Sequence, residues 1–135
     1  MPIIRVDVPE WLDHAQRLQI RKEIHGCVER TWFKEHIWVA VRPYTSEPDE
    51  RMVILTCEVR SGRGHDQERA EALFVESQEV LNRIVGTKDD ELIVLCRKFE
   101  QEDCISAGGQ LPPLAEATPD PAGLKTFSRR DDEAA

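Results

Sequence analysis

The chain has 135 residues, enough for one compact domain with a core and too few for two independent ones. Its 26 acidic against 18 basic side chains leave a formal charge of −8, which excludes the clustered basic surface that a nucleic-acid partner needs. No run of about eighteen apolar residues is present, and MPIIRVDVPEW has neither the basic nor the long apolar region of a signal peptide, so a cytoplasmic protein with no membrane partner is expected.

Residues 2–8, PIIRVDV, alternate apolar and polar side chains as a half-buried strand does, and Pro9, which has no N–H for a ladder, should end it. Asp13 is placed to cap a helix whose apolar positions Leu18, Ile20, Ile24, Cys27, Val28 and Thr31 recur mostly at steps of three and four, through about Phe33. HIWVAVRPY, 36–44, is rich in β-branched and aromatic residues and is ended by Pro43 and the turn-forming TSEPDE. The first half reads β-α-β.

RMVILTCEVR, 51–60, is a third strand with Val53, Leu55, Cys57 and Val59 on one face and Met52, Ile54 and Thr56 on the other, so both faces are expected to be covered. The loop SGRGHD leads into a helix with the stripe Ala70, Leu73, Phe74, Ser77, Val80, Leu81 and Ile84, which Gly86 is placed to stop. ELIVLCRKF, 91–99, supplies a fourth strand, so the second half repeats the first at an offset of about fifty residues.

Right-handed crossovers then predict an α/β fold in which the tandem β-α-β repeat of residues 2–99 builds a four-stranded mixed sheet with two helices on one face. Apolar residues on its other face, Ile54 and Ile93 among them, predict a homo-oligomer that buries it. Residues 100–115, which open EQEDCISAGGQLPP, read as a segment docked near the active site, and 116–135 as a flexible acidic tail.

Cys27, Cys57, Cys96 and Cys104 form no C-x-x-C pair and read as reduced thiols, Cys57 and Cys96 as small buried hydrophobes. His14, His36 and His65 have no second ligand at metal spacing, so no metal is expected. Trp11, Trp32, Phe33 and Trp38 fit core or subunit-interface positions. Arg5 and Arg42 are placed for extra pocket charge, and Arg5, which alternates with apolar neighbours, also for solvent or a partner carboxylate.

Two groups of residues carry candidate chemistry. Removal of Met1 would leave Pro2 as a terminal secondary amine, whose reference pKa of roughly 7.7–8.0 falls toward neutrality beside cations, where a general base works well. Arg60, at the end of the third strand, and Arg63, in the loop that opens the second helix, lie where such sheets gather ligands and present two guanidinium forks suited to a carboxylate.

P-I-I-R-V-D-V at the start, the doubled β-α-β and V-R-S-G-R-G after the third strand resemble the tautomerase superfamily, the 4-oxalocrotonate tautomerase-like proteins, over about residues 2–112. The likeness is to fused, double-length members such as the cis-3-chloroacrylic acid dehalogenase and malonate semialdehyde decarboxylase groups. It implies a homotrimer without cofactor or metal that acts on a small 2-oxo, enol or unsaturated carboxylic acid. It also implies Pro2 as the catalytic amine and Arg60 and Arg63 as carboxylate binders.

Three positions depart from the hydrolytic dehalogenase pattern. Val28 stands at its first-helix histidine, Leu95 at its fourth-strand tyrosine, and Ser106 near its water-activating glutamate. His25 and Glu29, which flank Val28 on the helix, are auxiliary candidates, and Glu100, Glu102 and Asp103 are carboxylates near Ser106. C-I-S-A-G-G-Q-L-P resembles the glycine-containing segment that closes over the site in the decarboxylase group, which makes Ser106 a candidate substrate contact.

The expected activity is isomerisation, with decarboxylation or a hydratase-like reaction as the enzymatic alternative. A noncatalytic oligomeric binding module is the alternative of another class.

Overall fold

The computed structural model describes residues 2–33, 36–62, 64–106 and 109–110. Strand β1 (Ile3–Pro9) leads to helix α1 (His14–Trp32) and strand β2 (Trp38–Tyr44). Strand β3 (Val53–Arg60), helix α2 (Asp66–Ile84) and strand β4 (Leu92–Phe99) repeat that order, and a short hairpin of β5 (Ile105–Ser106) and β6 (Gly109–Gln110) follows. The main sheet has the order β2-β1-β3-β4, with β1·β2 and β3·β4 parallel and β1·β3 antiparallel at the centre.

One face of the sheet is the core. Ile4, Val6, Val8, Val39, Val53, Leu55, Cys57 and Val59 point to it and pack beneath Ile20, Ile24, Cys27, Val28 and Trp32 of α1 and Leu73, Val80 and Leu81 of α2. Asp13 caps α1 as its position predicts: its Oδ1 accepts from Gln16 N at 2.8 Å, while Gln16 Oε1 accepts from Asp13 N at 2.9 Å. Gly86 follows α2 at φ +86°, a left-handed conformation in which a Cβ would be strained. The two helices are tied on their outer side by Arg30–Glu76, 2.6 Å apart, and by Arg83–Glu23.

The other face of β3 is not covered by this chain's own described elements. Ile54 is 37% exposed, beside Ile93 at 48%, and Leu95 and Trp38 are open as well. The centre of this face is closed by two ion pairs, Arg5–Glu58 and Arg42–Asp7, so Arg5 and Arg42 serve neighbouring strands. Pro9 ends β1 as expected, whereas β2 runs one residue past Pro43. Pro43 pairs in register with Val8, which an edge strand tolerates because one row of its N–H groups faces outward, and Pro9 is the last residue of β1, opposite Tyr44. Glu91 belongs to a turn before β4, where its carboxylate accepts from Lys88 N at 3.0 Å. Leu18, expected on the buried stripe of α1, is 49% exposed.

Candidate active site

The sheet brings Pro2 and Arg60 to one end. The Pro2 carbonyl accepts from Trp38 N at 3.1 Å, which holds residue 2 as the continuation of β1 against β2, and Pro2 is buried. Across the central ladder Ile3 opposes Glu58, so the same antiparallel register sets Val59 beside Pro2, and Arg60 is the next residue along. Arg60 is only 7% exposed, and its side chain makes no hydrogen bond or ion pair among the described residues. A largely buried guanidinium that no described carboxylate neutralises favours an anion beside it.

The loop after β3 is turned by its glycines. Gly62 and Gly64 have φ of +89° and +83°, and Ser61 N donates to Phe99 O at 2.8 Å to hold the loop against the end of β4. Arg63 lies outside the described residues. His65 begins α2 in the left-handed region without a side-chain cap, so the first N–H groups of α2 have no cap from it.

Arg69 is the residue that sequence reasoning missed. It is fully buried, and it donates from Nη1 to Thr31 O at 3.0 Å and from Nε to Gly64 O at 3.1 Å. Its guanidinium carbon stands 5.8 Å from the Trp32 ring centroid and 5.2 Å from that of Phe33. Burial lowers its pKa from the ordinary arginine value. Its position one helical turn before Leu73, on the apolar stripe, is the signal that was available. Trp32 beside it is buried, and its indole Nε1 has no hydrogen-bond partner among the described residues.

No protein-family model matches the sequence, and no curated protein matches it. Solved structures match over most of the chain. A fused 4-OT that forms a symmetric trimer superposes with a TM-score of 0.66 at 13% identity, over 79% of this chain and 93% of that one. A macrophage migration inhibitory factor-like protein from Entamoeba histolytica gives 0.70 at 10% identity, over 82% and 98%. A protein inactivated by 2-oxo-3-pentynoate gives 0.69 at 15% identity, over 79% and 93%. The fold is that of the tautomerases.

On this tautomerase fold the other candidates separate. His25 is half-buried and lines a groove between α1 and β2, and Glu29 is exposed. Val28 is wholly inside the core, while Leu95 is 40% exposed on the open face. Ser106 lies in the β5–β6 hairpin opposite Gly109, and its side chain is outside the described set. Asp103 turns back on its own turn, where its carboxylate accepts from Glu100 N at 3.1 Å, and Glu102 is exposed. The tail 116–135, and 111–115 of the docking segment, lie outside the described residues. Among those residues no cluster of His, Cys, Asp and Glu is arranged to hold a metal, and no helix is long and apolar enough to cross a membrane.

Proposed function

We propose that the protein is a cofactor-independent tautomerase or isomerase acting on a small 2-oxo, enol or unsaturated carboxylic acid. Pro2, freed by removal of Met1, is the general base or acid, and Arg60 and Arg63 bind the carboxylate. The observation that carries this reading is the buried Arg60, whose side chain has no partner among the described residues, one residue beyond the position opposite Pro2.

The substrate carboxylate pairs with Arg60 and, from the glycine-turned loop, with Arg63. This sets the carbon next to the carbonyl against the amine of Pro2. The neutral amine takes the proton from that carbon, the electron pair moves to the carbonyl oxygen, and the two cations stabilise the enolate. The same proton is returned at the other end of the conjugated system. A cation beside the amine also lowers its pKa, which keeps the base neutral near pH 7.

Isomerisation is favoured over hydration because it needs no activated water. Val28 is apolar and wholly buried, so that position of α1 supplies no polar group to hold one. If decarboxylation or hydration is the reaction, a protonated Pro2 polarises the carbonyl or donates the proton, and activity falls rather than rises with pH through the Pro2 pKa. The open apolar face fits a trimer, the state of the fused 4-OT named above.

The experiment is exposure of the full chain to 2-oxo-3-pentynoate, the acid that inactivates one of the matched proteins. A single adduct on Pro2 in the N-terminal peptide, lost with Arg60→Gln, is expected. Retention of Met1, or modification elsewhere only, contradicts the proposal and favours the noncatalytic module.

A further inference from the structure

A groove of about 440 Å³ lies between α1 and the free edge of β2. Leu18, Arg21, Lys22 and His25 share one face of α1, and Ile37 and Val39 bring the start of β2 to the same space. Among the described residues no carboxylate lines it. Arg21 donates from Nε to Val39 O at 3.0 Å, which fixes its guanidinium at the strand edge. The Lys22 and His25 side chains make no hydrogen bond or ion pair among the described residues. In a chain with 26 acidic and 18 basic side chains this is unusual company for the two cations Arg21 and Lys22. Elsewhere Arg5, Arg30, Arg42, Arg83 and Lys98 each meet a carboxylate. The apolar half of the groove is also open, since Leu18 is 49% exposed.

We propose that this groove binds a small amphiphilic carboxylate, its alkyl chain along Leu18, Ile37 and Val39 and its head group on Arg21 and Lys22. The volume falls within the range of roughly 300–1,000 Å³ typical of small-molecule sites, and a mixed lining of apolar wall and few convergent charges is what such ligands need. The groove is lined from α1 and β2, whereas Arg60 ends β3, two strands away in the order β2-β1-β3. Its residues Ile37 and Val39 flank Trp38, whose N–H donates to the Pro2 carbonyl, so the groove adjoins the Pro2 end of the sheet. The inference is argued from the lining residues and not from the proposed reaction.

The test is titration of the full chain with sodium decanoate, followed by backbone amide shifts in NMR and by calorimetry, with decanol as the uncharged control. Saturable binding of one decanoate per chain is expected, with shifts confined to Leu18–His25 and Ile37–Val39. Arg21→Gln with Lys22→Gln should raise the Kd at least tenfold. Lys22→Gln alone, which removes no hydrogen bond, should raise it severalfold with unchanged circular dichroism. Absence of saturable binding, equal affinity in the double variant, or equal binding of decanol overturns the proposal. So does silence of the groove amides with a change of oligomeric mass in the double variant, which would make the groove a contact between copies.

Discussion

Arg69 of α2 donates from Nη1 to the carbonyl of Thr31, 3.0 Å away in the last turn of α1, and so joins the start of one helix to the end of the other. The carbonyl end of α1 is the negative pole of its dipole, and it receives a buried cation there. Phe33, which ends α1 at φ +52°, is held in that left-handed conformation with its ring beside the same guanidinium. Arg69→Met keeps much of the volume and removes the donors. It should lower stability by at least about 2 kcal/mol, since a buried acceptor left without a partner costs roughly 1–3 kcal/mol and the stacking is lost as well. Urea unfolding checks this, with a lower midpoint expected and an unchanged m-value.

Arg60 makes the complementary case, because its guanidinium has no protein partner to lose among the described residues. Arg60→Gln should leave the fold intact by circular dichroism and lower kcat/KM for an acidic substrate by tens-fold or more. That magnitude matches about 1.5–3 kcal/mol for a charge-assisted hydrogen bond. Unchanged kinetics would remove Arg60 from the site.

Ile54 and Ile93 face each other across β3 and β4 on the open side of the sheet. Ile93→Asp should therefore break the assembly while sparing the monomer, because the side chain is 48% exposed and touches no core position. Light scattering is expected to give a trimer mass for the parent and a monomer mass for the variant. A parent that is monomeric at micromolar concentration contradicts the prediction.

Burial pushes the Cys27 thiol up from 9.0 to about 11, with Glu76 adding to the effect. A raised pKa means that the neutral thiol is favoured by the fold. The stability it contributes is whole below pH 9 and is lost as pH rises through about 11. Cys27 should therefore resist alkylation in the native protein at pH 8 and react at an ordinary rate in urea, as mass spectrometry of the labelled peptides will read.

Much of the architecture was legible because it is written in short periods. Alternation in PIIRVDV and VILTCEV and the three-and-four spacing of α1 and α2 each state which side faces the core, and Asp13 and Gly86 mark ends by local chemistry. Arg69 was not legible, since an arginine is buried only when its partners come from elsewhere, here Thr31 at a separation of 38 residues. The same reason hid the place of His25 and Leu18, which depends on how far the edge of β2 extends past α1. For the candidate site, sequence pattern named Pro2 and Arg60, and the β1·β3 register supplied their proximity. That Arg60 is buried, with no side-chain partner among the described residues, is a property of the assembled end of the sheet, which no spacing in the sequence encodes.

The central claim is that the amine of Pro2 moves a proton on a small 2-oxo acid. The most direct test follows the ultraviolet absorbance of an enolised 2-oxo acid as it ketonises, with the processed protein and its Pro2→Ala variant at equal concentration. The account predicts turnover that the variant loses by roughly 10²- to 10⁴-fold, the usual contribution of a positioned general base. Equal rates with both proteins, or no turnover by either across 2-oxo, enol and unsaturated acids, would contradict it.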